Sequence, residues 1–280
     1  MAEPASAHAD MDRDMRFFPI RNDHPRKLSA REIEHFNEKG YITPLDVFST
    51  AEIAAHRAYF DRILAEAFEK GHDSYGINGW HLRLRGLYDL VCEPRILDYV
   101  QDLIGEDIVC WGTHYFCKMP GDTKRVSWHQ DASYWPLTPT KTVTVWLAID
   151  DADEGNGAMK FIPESHREGH LSFEASGADE DNVLDQTVRD AEAHGDPPTS
   201  IPLKAGQIEL HSDLLLHSSE ANPSSRRRCG LTLRFCPPDV RALKDWNRIS
   251  IIGRGKDPDG HWVDNPRPPG DDIPPPGWVP

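Results

Sequence analysis

Basic residues are scarce relative to acidic ones, with 31 Lys and Arg against 46 Asp and Glu for a formal net charge of −15. Such a balance repels phosphate backbones and anionic lipid surfaces, so roles on nucleic acid or at a membrane surface are excluded. No apolar run approaches the roughly 20 residues of a membrane-spanning helix. Met1 to Asp14 has neither an apolar stretch nor a basic run followed by a small-residue cleavage site, and no signal peptide is expected. The five cysteines (Cys92, Cys110, Cys117, Cys229, Cys236) are odd in number and never spaced Cys-x-x-Cys. That argues against a disulfide framework or a structural zinc site and fits a reducing cytoplasm.

What is present is enough apolar material for a core. At 38 % hydrophobic residues with eight Trp, the chain is no disordered polyampholyte. Its 280 residues suit one large sheet-built domain as well as two small ones. Residues 28–105 read as a helical front. Ser29-Ala30-Arg31-Glu32 and Ser49-Thr50-Ala51-Glu52 are capping boxes, Gly40 closes the first helix, and Pro94 opens one that runs to Gly105. A short strand is expected over Trp80–Leu84.

From residue 106 the pattern turns to short β-branched and aromatic runs broken by Pro and Gly. Strands are expected at 108–119, 142–149, 158–162, 207–211, 213–218 and 229–236, with no helices between them, which favours a sandwich or jelly roll over a parallel sheet. Along Thr142 to Ile149, Val143, Val145, Leu147 and Ile149 share one face and Thr142, Thr144, Trp146 and Ala148 the other. That is the pattern of a wall packed on its outside and lining a cavity on its inside. Residues 106–236 thus form a jelly-roll core interrupted by a lid-like excursion at 174–200. The tail, 256–280, is Pro-rich and reads as extended chain rather than a further domain. Residues 150–196 hold fourteen Asp or Glu and three Lys or Arg, so most of the net charge resides there.

Fourteen histidines are the unusual part of the composition. In His129-Gln130-Asp131 an imidazole and a carboxylate two residues apart point to the same side of an extended chain. A third ligand would come from a distant strand, and Gly206–His217 offers His211 and His217. Two histidines and one carboxylate leave coordination positions open, the pattern of non-haem Fe(II) oxygenases. Eleven residues after His217, Arg228 stands at the mouth of the strand Cys229–Phe235, where a guanidinium can grip a carboxylate with two hydrogen bonds.

The chain resembles the phytanoyl-CoA dioxygenase family of Fe(II)/2-oxoglutarate-dependent oxygenases. The resemblance runs from Leu28–Tyr41 through Trp128-His129-Gln130-Asp131 and Asn156–His166 to the pair His217 and Arg228. It implies a mainly β fold with a helical N-terminal part, the double-stranded β-helix (jelly roll, cupin-like), as a single domain over 1–280. It further implies that His129, Asp131 and His217 bind Fe(II), that Arg228 grips the far carboxylate of 2-oxoglutarate, and that Ser219 assists it. O2 completes the set of cosubstrates. The expected reaction is hydroxylation, or another oxidation, of an unactivated C–H with release of succinate and CO2. Glu164 stands where the family usually has Gly, a departure confined to a turn.

Other residues carry two readings. His211 lacks an arginine at the matching offset and suits a supporting place better than a ligand's, and His166 suits the bracing of a turn. Lys118 and Trp146 are candidates to line the cosubstrate pocket, although Trp146 can equally serve the core. Trp111, His114, Tyr134 and Trp135 flank the metal motif and are candidates to touch substrate; Trp80, His81, Arg83 and Arg85 form a polar-aromatic cluster able to meet an anion. Related halogenases carry a small residue in place of the carboxylate, so Asp131 disfavours halogenation. A catalytically silent ligand-binding jelly roll and a zinc hydrolase are the competing readings, and the second leaves Arg228 and Ser219 without a task. The substrate expected is a small polar metabolite or biosynthetic intermediate, because a strongly acidic protein is an awkward host for an acyl-CoA. Nothing in the sequence specifies an oligomeric state.

Overall fold

In the computed structural model, residues 8, 11–177 and 180–278 are described. Parts of the polar lead-in, the excursion and the tail (1–7, 9–10, 178–179 and 279–280) lie outside them. The helices are α1 (Ala30–Lys39), α2 (Thr50–Glu69), α3 (Arg85–Val91) and α4 (Pro94–Ile104). Both capping boxes form, with Ser29 and Ser49 each bonded reciprocally to the glutamate three residues on. Gly40 ends α1 at φ 87°, a conformation that other residues adopt only with strain. Among the described residues no helix is long and apolar enough to cross a membrane.

The strands, in chain order, are β1 (Tyr41–Asp46), β2 (Ile108–Lys118), β3 (Val126–His129), β4 (Leu137–Thr138), β5 (Val143–Ala148), β6 (Met159–Phe161), β7 (Glu174–Ala175), β8 (Gln186–Thr187), β9 (Thr199–Ile201), β10 (Gln207–Ser212), β11 (His217–Ser219), β12 (Arg228–Cys236), β13 (Arg241–Ala242) and β14 (Ile251–Arg254). Six form a major sheet in the order β1-β10-β5-β12-β2-β14, and four a minor sheet, β3-β11-β6-β9; β4 with β13 and β7 with β8 make small ribbons. The strand pairs are antiparallel, and the result is the jelly roll.

Alternation along the strands places the core and the cavity. On β12, Cys229, Leu231, Leu233 and Phe235 face outward, where they join Phe60 and Ile63 of α2 and Ile96 and Val100 of α4 in the main apolar cluster. Each Leu or Phe buried in this way contributes roughly 1.5–3 kcal/mol. Arg228, Thr232 and Arg234 of the same strand face inward and line a cavity between the sheets. On β5 the outward set is Val143, Val145 and Leu147, and Trp146 looks inward.

Several boundaries differ from the sequence expectation. Trp80–Leu82 is a 3-10 turn, not a strand. Gly79 sits at φ 74°, and the turn packs against β2 through its side chains rather than as a strand, with the buried His81 ring against Thr113 Oγ1 (3.0 Å) and Ile249 O (2.7 Å). The expected strand 213–218 is a turn over its first half. Leu215 N bonds to Ser212 O (2.9 Å) as the chain crosses from the major to the minor sheet, and β11 begins only at His217. The excursion is not all loop, because Thr199–Ile201 pairs with β6 as the edge of the minor sheet. The major sheet extends past residue 236 through β14, and β1, absent from the expectation, pairs with β10.

Residues beyond 255 run as irregular chain back over the helical front. Asp271 accepts from Tyr59 (2.9 Å) and Arg62 (2.6 Å), Lys70 donates to Ile273 O (2.6 Å), and Arg85 N bonds to Gly270 O (3.1 Å).

Candidate metal centre

His129, the last residue of β3, and His217, the first of β11, are direct cross-strand partners, with ring centroids 4.0 Å apart. Asp131 follows on a 3-10 turn. One ligating atom from each of the three lies within 4.8 Å of the others, and all three residues are buried. Among the described residues no other group of three His, Cys, Asp or Glu meets that condition.

Each imidazole is oriented by its rear nitrogen. His129 Nδ1 donates to Ser127 O (2.8 Å) and His217 Nδ1 to Leu215 O (2.9 Å), which leaves the Nε2 lone pairs directed at Asp131, 3.7 and 3.9 Å from its Oδ1. Burial, and then the neighbouring His129, push His217 well below the usual imidazole range, so the ring is neutral and able to ligate. Burial opposes charge on Asp131, but His129, His211, His217 and Arg234 outweigh it and hold the carboxyl well below its usual range. Two imidazole nitrogens and a carboxylate are the donor set that a divalent transition metal takes.

Neighbouring side chains hold that set in place. The fully buried Gln130 donates to Gly169 O (2.9 Å) and Leu214 O (2.6 Å) and accepts from Leu171 N (2.7 Å), clamping the turn between the two ligand positions. Thr144 Oγ1 reaches Asp131 Oδ2 at 3.2 Å. His211 Nδ1 is 2.9 Å from the buried Glu209, while its Nε2 has no hydrogen-bond partner and stands 3.8 Å from Asp131 Oδ2. His211 therefore backs the carboxylate and is not one of the three grouped ligand candidates.

The cavity beside this cluster is narrow, about 40 Å³, and is lined by Phe116, Trp146, Met159, Ser219, Arg228, Thr232 and Arg234 together with the three ligand candidates. Arg228 is 1 % exposed. Its Nη2 reaches Ser219 Oγ at 3.3 Å, its Cζ lies 5.7 Å from the Trp146 ring, and its Nε has no partner. Its Nη1 donates to Phe116 O (3.4 Å), and no carboxylate of a described residue pairs with it, so the guanidinium can take an acidic ligand. A second cleft, bordered by 17–26, 101–107, 140–143 and 212–213, lies elsewhere.

Not every residue singled out in the sequence reaches this cavity. Lys118 does not line it, because its ammonium is taken by the carbonyls of Lys124 (2.9 Å) and Glu220 (2.5 Å). Arg83 is ion-paired with Asp272 of the returning tail, far from the metal cluster in the fold. His114 pairs with Thr232 on the cavity side of the major sheet, but its ring is taken by Tyr75 O (2.7 Å) and packs on Phe116. Tyr134 stands edge-on to His129 (6.0 Å) with an unpartnered hydroxyl. Trp111 and Trp135 meet edge to face (4.5 Å) beneath the guanidinium of Arg234. His166 caps α1 through Asn37 O (3.1 Å), and Glu164 sits at φ 75°, the geometry that a glycine would take without strain.

The residues missed by sequence reasoning are Gln130 as a clamp, Glu209 as the partner of His211, and Arg234. For Arg234 a signal existed, since it stands six residues after Arg228 and an even offset on a strand shares a face.

The family model described as phytanoyl-CoA dioxygenase (PhyH) matches residues 36–230. The chain belongs to the phytanoyl-CoA dioxygenase family. Within and around this family, it is 27 % identical over 190 residues to a protein of Stutzerimonas stutzeri named as a probable alpha-ketoglutarate-dependent hypophosphite dioxygenase, covering 62 % of this chain and 63 % of that one. It is 33 % identical over 150 residues to a phytanoyl-CoA dioxygenase of Arabidopsis thaliana, covering 53 % and 50 %. The matches therefore span less than two thirds of these relatives. Among solved structures, the non-heme monooxygenase ThoJ in its apo form superposes with a TM-score of 0.72 at 26 % identity, covering 85 % of this chain and 88 % of that one.

Proposed function

We propose that this chain is an Fe(II)- and 2-oxoglutarate-dependent oxygenase that acts on an unactivated C–H of a small polar metabolite or biosynthetic intermediate. One observation carries the reading. Two cross-strand histidines, each with Nδ1 tied to a carbonyl, aim Nε2 at the carboxylate of Asp131 on a cavity that also holds the unneutralised Arg228. His129, Asp131 and His217 would hold the iron. When bound, iron with 2-oxoglutarate and O2 supplies an oxidant strong enough for such a bond, with succinate and CO2 as coproducts.

The protein's own residues bind, orient and exclude. Arg228, steadied by Ser219, takes the far carboxylate of the cosubstrate, and Trp146 packs beside the guanidinium to keep water from it. Asp131 supplies the third ligand, so the position that a halide would need is occupied, which favours hydroxylation or a related oxidation. The family match and the relative named as alpha-ketoglutarate-dependent support the reaction class. A single catalytic domain over 1–280, shielded by 174–200 along β3, belongs to the same proposal, as does a reducing cytoplasm for the five free cysteines.

The test is succinate formation from 2-oxoglutarate with added Fe(II), in the wild type, Asp131→Ala and Arg228→Ala. Turnover in the wild type that both substitutions abolish is expected. Equal inertness of all three would give the protein the role of a silent binding jelly roll, and chlorination of a substrate by the wild type would overturn the reading of Asp131.

A further inference from the structure

Arg234 is a buried cation that feels the charge of Asp131 but has no hydrogen-bonded partner among the described residues. It is 9 % exposed, its side chain makes no hydrogen bond or ion pair with any described residue, and its Nε is buried without a partner. The guanidinium lies over two indoles, 5.0 Å from the centre of Trp135 and 5.7 Å from that of Trp111. Those faces attract a cation but accept no hydrogen bonds of ordinary strength. Burial pulls the group below its usual value, yet an arginine stays protonated in a protein. A guanidinium whose Nε is buried and unpartnered, and whose remaining donors face the cavity, is suited to take an anion there.

Its place in the fold separates it from the arginine assigned to the cosubstrate. Arg228 and Arg234 face the same cavity from opposite ends of the inward face of β12, six residues apart, or about 20 Å of strand. Arg228 is opposite Lys118, whereas Arg234 is opposite Thr144, whose hydroxyl reaches Asp131. Arg234 therefore stands level with the metal cluster, and Arg228 further along the strand.

Charge counting points the same way. Ferrous iron would bring two positive charges, Arg228 and Arg234 one each, and Asp131 one negative, while the Glu209–His211 pair sums to zero wherever its proton lies. Counting the charged residues that line the cavity, a 2-oxoglutarate dianion leaves one positive charge over.

We infer that Arg234 is the anchor for a carboxylate of the oxidised substrate, a monoanion. This rests on the Fe(II)/2-oxoglutarate reading of the same cavity. The substrate is then a small carboxylic acid held by its charge at the end of the cavity away from Arg228, with the carbon to be oxidised turned toward the metal.

The experiment uses the full chain under nitrogen, loaded with Fe(II) and saturating 2-oxoglutarate so that Arg228 is occupied. Propionate and cyclohexanecarboxylate are titrated beside their neutral amides, with tryptophan emission as the readout because two indoles border the guanidinium. Affinity for 2-oxoglutarate is measured separately by calorimetry. The wild type is expected to bind each carboxylate about tenfold or more tighter than its amide. Arg234→Met is expected to abolish that preference and Arg234→Lys to keep part of it, both with 2-oxoglutarate affinity unchanged. Equal binding of acid and amide by the wild type, or a preference that survives in Arg234→Met, overturns the assignment. So does loss of 2-oxoglutarate affinity in Arg234→Met with the preference retained, which would make Arg234 a second clamp on the cosubstrate. Should Arg234→Met fail to fold, the acid–amide comparison in the wild type and the Lys variant decide. A wild type that takes up neither metal nor 2-oxoglutarate fails at the calorimetry stage, which sinks the oxygenase reading and the substrate anchor together.

Discussion

Gly230 lies directly under the indole of Trp146, so close that a methyl group on its α-carbon would stand 1.9 Å from two ring carbons. Gly230 pairs with Ala148 across the strands, and Trp146 is the diagonal neighbour on the same face. The missing side chain is what lets the indole lie flat beside Arg228.

Gly230→Ala should therefore act on both stability and the cosubstrate. Overpacking costs typically 1–3 kcal/mol, and the tilted indole would intrude on the space next to Arg228. A lower melting temperature with a raised KM for 2-oxoglutarate is expected, and Gly230→Ala combined with Trp146→Leu should recover much of the melting temperature. An unchanged KM in the single variant would show that Trp146 does not shape that end of the cavity.

Arg228→Lys keeps the charge and loses the fork. A point-charge ammonium cannot make two parallel bonds to a carboxylate, and it would also forgo the contact with Ser219. The KM for 2-oxoglutarate should rise about 10- to 100-fold, the equivalent of one charge-assisted hydrogen bond. A rise below twofold would move the far carboxylate elsewhere.

Metal uptake should separate the ligands from their neighbour. Binding at a hundred times Kd stabilises a folded protein by about 2.7 kcal/mol, enough to raise the melting temperature by several degrees. Mn(II), as an inert stand-in for Fe(II), should produce that rise in the wild type and in His211→Gln, and should fail to do so in His129→Ala and His217→Ala. Loss of the rise in His211→Gln alone would place His211 among the ligands.

Asp213 supplies a pH dependence with a definite sign. Burial, and then the charge of Asp131, push its carboxyl up to about 7 against the hydrogen bond from Thr142 N. Between about pH 4 and 7 the folded protein holds a proton that the unfolded chain releases, so this group's contribution is lost as pH rises and the full cost is present above 7. Asp213→Asn, neutral throughout and still able to accept from Thr142, should gain melting temperature relative to wild type as pH goes from 5 to 8. A difference that does not change over that range would refute the shift.

The metal cluster and the jelly roll were legible because their signals are local and periodic. His129 and Asp131 share a face by spacing alone, and the two faces of Val143–Ala148 differ in polarity as a cavity wall must. What escaped depended on distant chain. Arg83 looked free to meet an anion, but Asp272 returns to it from 189 positions away. Lys118 sits opposite Arg228 in the ladder, yet its four-carbon stem carries the ammonium out to the carbonyls of 124 and 220. Arg234 was passed over because a lone charge on a strand normally faces water; only the flanking tryptophans, brought together by folding, show that it does not.

The returning tail has a consequence for how the molecule is made. Tyr59 and Arg62 on α2 bond across to Asp271 of the tail, and among the described residues β1 has β10 as its neighbour in the sheet. During synthesis the first hundred residues leave the ribosome well before either partner exists. The helical front must then wait, with the apolar faces of α2 and α4 uncovered, until the sheet has been translated. A nascent chain stalled at residue 240 should accordingly be a client for holdase chaperones, and release should follow once the stretch around Asp271 has emerged.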